Sequence, residues 1–190
     1  MDAGEAAARL RGVALFCATM VMFTLLDSAA KYATAYLPAL EIVWVRFASQ
    51  TVLVVLVLRP WRDWAPYRTD RWPAQIIRSV FLFLSTVFNF LALRTLRLDQ
   101  TTTIMFSTAF FVAAAAGPLL GEWVGPRRWA AIAVGFAGVL VVVRPGTDAF
   151  QPAMLLSLAA TLSYAGYILM TRKLAATDST VGLLLISGAV

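Results

Sequence analysis

Long blocks of apolar residues, separated by short basic turns, dominate the chain. The clearest block runs without charge from Gln100 to Gly121, which as a helix at 1.5 Å per residue would reach about 33 Å, enough to cross a hydrocarbon core of about 30 Å. A tight Gly-Glu-Trp-Val-Gly-Pro-Arg-Arg turn follows, and a second apolar run from Trp129 to Val143 ends at Arg144, Pro145 and Gly146. This pattern predicts a membrane hairpin. Small residues within it, Ala113 with Gly117 on one arm and Gly135 with Gly138 on the other, are spaced for close helix contact.

Four more blocks of the same kind predict spans over 12–36, 40–58, 74–93 and 152–171, and an apolar run from Thr180 to Val190 is too short to cross a bilayer. The expected fold is therefore all-α, a polytopic membrane helix bundle with about six full transmembrane helices plus a partial seventh. Pro38 ends the first helix, and Pro152 suits the first turn of the sixth.

Within the hairpin, Pro118, the Leu119-Leu120-Gly121-Glu122 run, Gly125, Arg128-Trp129, Gly135, Gly138-Val139 and the closing Arg144-Pro145-Gly146 occur in an order and spacing that resembles the EamA domain of the drug/metabolite transporter superfamily. Weaker resemblance extends from about Gly12 to about Ala176. It implies ten spans in two five-helix halves related by inversion, with a central cavity between them. Residues 1–146 would then be the first five-helix repeat and 147–190 the incomplete beginning of the second.

The sequence carries a faint trace of that repeat. Leu15 meets Leu156, Ala18 meets Ala159 and Lys31 meets Arg172 at a constant offset of 141 residues. A unit of five spans starts its successor on the opposite side of the membrane, which gives the inverted arrangement of secondary transporters. On this reading residues 1–190 alone would insert but lack half the cavity wall, unless a second copy supplies it in a homodimer.

Composition narrows the function classes. With 61% hydrophobic and 14% charged residues, the chain departs far from the roughly half apolar, quarter charged make-up of soluble domains. There is no histidine, and the one cysteine, Cys17, lies inside an apolar run. No disulfide framework, metal site, catalytic residue or cofactor is expected. The net charge of +6 comes from arginines in turns, where they set orientation, so the expected partners are membrane lipids and a small-molecule substrate, with no nucleic acid. A phosphate-binding loop is absent from the sequence. The leading expectation is a secondary transporter of the inner membrane moving a small metabolite such as an amino acid or related compound, with export among the possible directions and proton coupling among the possible drives. A truncated, non-transporting membrane protein and a membrane-embedded enzyme are the alternatives.

Ionisable groups within spans are costly, roughly 2.5–3.5 kcal/mol each at a helix centre on insertion scales, so those present tend to face a partner or a wet cavity. Asp27, Lys31 and Arg46 are such groups in spans 1 and 2, Asn89 is an amide deep in span 3, and Tyr164 and Tyr167 are phenols at helical spacing in span 6. These six are the candidate lining of a central cavity, with Asp27 the group that would carry a proton. The alternatives are an Asp27–Lys31 pair four residues apart on one face, an Arg46 that snorkels to the surface, an interhelical bond for Asn89 and simple packing for the tyrosines. Pro118, Gly121, Glu122 and Gly138 are assigned to the structure of the hairpin, Glu122 as an ion-pair partner of Arg127 and Arg128.

Grouped by alternate sides, the Lys and Arg residues divide into eleven, Arg78 among them, and five, which places the N-terminus and the Arg59–Pro73 loop in the cytoplasm and the Arg94–Asp99 turn opposite. A cysteine introduced as Pro66→Cys in a Cys17→Ala background should resist a membrane-impermeant thiol reagent added to intact cells. Labelling from the outside would reverse the topology.

Overall fold

The computed structural model describes residues 3–58, 71–123, 125–144, 151–175, 182–183 and 186–187. Residues 59–70 of the predicted Arg59–Pro73 loop, the 146/147 boundary and most of the last apolar run lie outside them, and Trp72 and Pro73 open the following helix. Among the described residues up to 175 the helices are α1 (Ala3–Ala33), α2 (Ala39–Leu58), α3 (Trp72–Thr95), α4 (Leu98–Phe106), α5 (Thr108–Leu120), α6 (Pro126–Val143) and α7 (Ala153–Ala175). No strand occurs among the described residues, and the all-α membrane bundle stands.

Among the described residues five stretches are long and apolar enough to cross a membrane: Leu10–Ala33, Ala39–Val57, Trp72–Thr95, Leu98–Leu120 and Ala153–Ala175. Helix α6 is the second arm of the predicted hairpin, with 18 residues, or about 27 Å of rise.

The fourth span is not the unbroken helix that its apolar run predicts. It divides at Ser107, where the Ser107 amide bonds back only three residues to Ile104 O at 3.0 Å. The hydroxyls of Ser107 and Thr108 donate to Ile104 O and Met105 O, each at 2.6 Å. Hydroxyls that take main-chain carbonyls in this way compete with the helical ladder and bend it, so two adjacent small polar residues break what hydropathy reads as continuous. The span ends where Gly121 enters the left-handed region at φ 73°, and the amides of Gly121 and Glu122 fold back onto the carbonyls of Gly117 and Ala116 at 3.0 and 3.2 Å. A Cβ disfavours that conformation, which explains a glycine there.

Helix α3 is the centre of the bundle and α7 packs along it more extensively than any other pair of helices does. Their register follows from three contacts. Met154 clusters with Ala92 and Leu96, Gly166 lies under the Phe81 ring, and Tyr167 faces Arg78. One index falls as the other rises, so α3 and α7 run antiparallel. A second apolar cluster, Ala30, Ala39, Val43, Phe90 and Leu93, joins α1 and α2 to the C-terminal half of α3.

Of the glycines expected to allow close contact, Gly117 does lie tight, since a Cβ there would come within 3.0 Å of the Trp123 ring, but Gly135 and Gly138 do not. A Cβ on Gly135 or Gly138 would meet nothing within 4 Å, whereas one on Gly166 would come within 3.1 Å of three ring atoms of Phe81. Spacing alone does not reveal which glycine a neighbouring helix approaches, because that depends on the rotation of the helix. Gly166→Leu should therefore overpack the α3–α7 seam and cost about 1–3 kcal/mol, while Gly138→Ala should be neutral or slightly stabilising through helix propensity. Unfolding by sodium dodecyl sulfate in mixed micelles would compare the two, and equal effects would contradict the seam.

Candidate functional site

The turn between α1 and α2 brings Asp27 within electrostatic reach of Arg46, which stands over the α3 residue Phe90. Asp27 is half-buried on α1 and lies within electrostatic reach of Arg46, which in turn interacts with Tyr164 of α7. The Arg46 guanidinium stands over the Phe90 ring, 5.5 Å from its centroid. Tyr164 stacks on Tyr167 at 5.9 Å with the rings 19° apart, and the Arg78 guanidinium covers Tyr167 at 5.6 Å. Two arginines thus flank a stacked tyrosine pair, with Asp27 at one end. Charge over an aromatic face is favourable and gains strength where water is excluded.

Beside Arg46 a cleft of about 620 Å³ opens between α1 and α2, within the size range of small-molecule sites. Phe23, Leu26, Val45 and Leu53 supply its apolar walls, Phe90 contributes from α3, and Arg46, Ser49 and Gln50 are its polar members. Positions 46, 49 and 50 fall on one face of α2 by helical spacing.

Of the six expected cavity residues, Asp27, Arg46, Tyr164 and Tyr167 belong to one network. Asn89 is close by in sequence, next to Phe90, and is buried with no hydrogen-bond partner at its Oδ1. The antiparallel register sets it level with Ser157 of α7, whose hydroxyl is also buried without a partner. Lys31 goes elsewhere. Its Nζ donates to Leu93 O and, at 2.7 Å, to Leu96 O, so the ammonium caps the C-terminus of α3 where helix carbonyls and the dipole favour a cation. That corrects the simple Asp27–Lys31 pair: four residues apart on a helix permits a contact, but two free carbonyls are the stronger partner.

Glu122 is also paired differently from expectation. It accepts from Arg172 Nη1 of α7 at 3.1 Å, with both side chains about half exposed, and so ties the α5–α6 turn to α7 rather than the hairpin to itself. Pro118 lies within α5 and Gly138 faces no neighbour.

Sequence reasoning missed Arg78. Placed near the start of span 3 and counted among the cations that set topology, it is 1% exposed inside the bundle, with Nε donating to Gln75 Oε1 at 3.2 Å and Nη2 to Leu183 O at 2.6 Å. The signal was its place seven residues into α3, three after Gln75, with no further charge until Arg94. Without Arg78 the basic bias between the two sides keeps its sign. Among the described residues no three His, Cys, Asp or Glu side chains gather as metal ligands would.

A bundle of membrane-length helices that places Arg46 on a cleft, with Asp27 and Tyr164 within its electrostatic reach, defines a polytopic membrane protein. The chain belongs to the EamA-like transporter family, whose profile matches residues 10–144. It is 28% identical over 176 residues to a riboflavin transporter of Vibrio cholerae, covering 90% of this chain and 58% of that one. It is 27% identical over 182 residues to an S-adenosylmethionine uptake transporter of Rickettsia felis, covering 95% and 61%. With the pseudopaline exporter CntI of Pseudomonas aeruginosa it shares 26% identity over 170 residues, covering 89% and 59%. The chain therefore spans about three fifths of the length of these relatives. No solved structure matches it.

The partners of Lys31 and Glu122 make opposite forecasts. Lys31→Met should destabilise the fold by about 1–3 kcal/mol, since it leaves two helix-end carbonyls without their cation. Glu122→Gln should cost less than about 1 kcal/mol, as exposed pairs do. Denaturant unfolding in detergent micelles would rank the two, and the reverse order would refute the capping role.

Proposed function

We propose that the protein acts in secondary transport of a small metabolite, an amino acid or related compound, across the inner membrane, with its N-terminus in the cytoplasm. In this reading residues 1–146 form one five-helix repeat and 147–190 open an inverted second one, and a partner half comes from further chain or from a second copy. The observation that carries the proposal is the convergence of Asp27, Arg46 and Tyr164, from three different helices, beside the 620 Å³ cleft. Groups this expensive to hold in hydrocarbon mark substrate or proton pathways in membrane proteins. The family and its relatives support transport over catalysis, and the relatives include both an uptake protein and an exporter, so either direction fits.

The drive is an ion or substrate gradient, with Asp27 as the proton-carrying group. Asp27→Asn preserves shape and removes the titrating carboxylate. In proteoliposomes given riboflavin, S-adenosylmethionine or amino acids, flux driven by an imposed proton gradient should vanish in Asp27→Asn, while substrate exchange and membrane insertion persist. Normal gradient-driven flux by the variant across the pH range would remove the coupling role and leave Asp27 as a structural counter-charge.

A further inference from the structure

We propose that Arg46 is the recognition point for a carboxylate, or a comparable single negative charge, on a ligand whose apolar body fills the cleft between α1 and α2. The term substrate for that ligand rests on the transporter reading, but the anion site does not.

The two arginines of the tyrosine network differ in what satisfies them. Arg78 reaches acceptors on Gln75 and Leu183. The guanidinium of Arg46, by contrast, makes no hydrogen bond among the described residues and closes no ion pair with Asp27, although it lines the cleft and is half-buried. Its Cζ stands 5.5 Å from the centroid of the Phe90 ring, a contact that supplies no oxygen acceptor to its N–H donors. A guanidinium presents five N–H donors in a planar fork that matches a carboxylate in two parallel bonds. In surroundings of Phe23, Leu26, Val45 and Leu53, unfilled donors are costly, and a ligand anion supplies what the protein does not.

The charge balance narrows the class further. Asp27 is within electrostatic reach of Arg46 but is not part of the cleft lining. It offsets part of the positive charge, so the site suits a monoanion better than a polyphosphate. Ser49 and Gln50, one turn along α2 from Arg46 and also lining the cleft, add a hydroxyl and an amide for a polar group next to the carboxylate. The remaining walls are apolar and accept a hydrocarbon or aromatic body. A soluble carboxylate and an anionic lipid share this chemistry.

The test uses the whole chain in nanodiscs of phosphatidylcholine, with 4-phenylbutyrate and its uncharged amide as matched probes, titrated calorimetrically against protein-free discs. The carboxylate should bind about tenfold or more tighter than the amide, the scale of a charge-assisted bidentate contact. Arg46→Gln should bring the two within about twofold. Arg46→Lys should retain part of the preference, because it keeps the charge and loses the fork. Arg97→Gln, at an exposed ion pair with Asp99, should behave as wild type. Repeating the titration in phosphatidylglycerol discs separates the sources: unchanged preference assigns the site to a soluble carboxylate, and its loss assigns it to anionic lipid. Equal binding of the two probes by the wild-type protein, no binding of either, or a preference that survives in Arg46→Gln overturns the proposal. Anion binding in the nanodiscs together with no flux in proteoliposomes that hold both halves of the transporter would refute the transport reading and leave the site intact.

Discussion

A polar group inside a hydrocarbon layer has no water to turn to, so its partner must be another part of the protein. Helix α3 is where the chain meets that constraint most heavily. Gln75, Arg78, Ser79, Ser85, Thr86 and Asn89 are all buried along it, and α7 covers them. The requirement to place a guanidinium at 1% exposure fixes much else. Tyr167 must offer its face, residue 183 must offer a carbonyl, and Gly166 must be small enough to let Phe81 and the α3 backbone approach. At the other end of α3, the last carbonyls are held by Lys31 from α1. One helix thus anchors α1 through a cation and α7 through a polar seam, while α2 joins it through Phe90 and its apolar neighbours.

How much of this could be read beforehand depended on whether a property belongs to one helix or to a pair. Span existence and order followed from hydropathy, because each span must be apolar along its own length whatever it packs against. Local chemistry inside a span was less visible. The break at Ser107 arises from two hydroxyls capturing carbonyls one turn back, and Ser or Thr in a helix can equally leave the ladder unbroken. Partner choice was the least visible. Lys31 could reach Asp27 by spacing yet bonds to α3, Glu122 could reach the arginines that follow it yet bonds to α7, and Gly166 is closely packed, as the expected Gly117 is, while Gly135 and Gly138 are not. Each depends on the rotation of one helix about its axis relative to another, which a sequence of nearly uniform hydrophobicity leaves almost unmarked. The candidate site was legible to the extent that ionisable groups in spans are rare enough to enumerate. Asp27, Arg46 and the two tyrosines do share one network, while Arg78 was missed because a cation close to the start of a span reads as part of the preceding loop.

Arg46 and Arg78 show why enumeration alone does not separate a structural charge from a working one. Both lie on a helix interior, both stand over an aromatic ring, and both adjoin the same stacked tyrosine pair. They differ in their acceptors. A charge whose hydrogen-bonding capacity is met by the fold costs little to keep and contributes to holding two helices in register. One that lines an open cleft without a hydrogen bond to the described residues keeps its desolvation cost until something enters. Binding to the second kind can be coupled to movement, since filling the donors stabilises whichever arrangement of α1 and α2 presents them best, and a ligand shifts an equilibrium only by its differential affinity for the two states. The cleft lies between α1 and α2, which are joined to the rest chiefly at their α3 ends, so the open donors are set in the part of the bundle with the fewest internal ties. On the transporter reading proposed above, the seam between α3 and α7 would serve as a fixed frame, and α1 and α2, with Arg46 on their cleft, as the element whose position a ligand can bias.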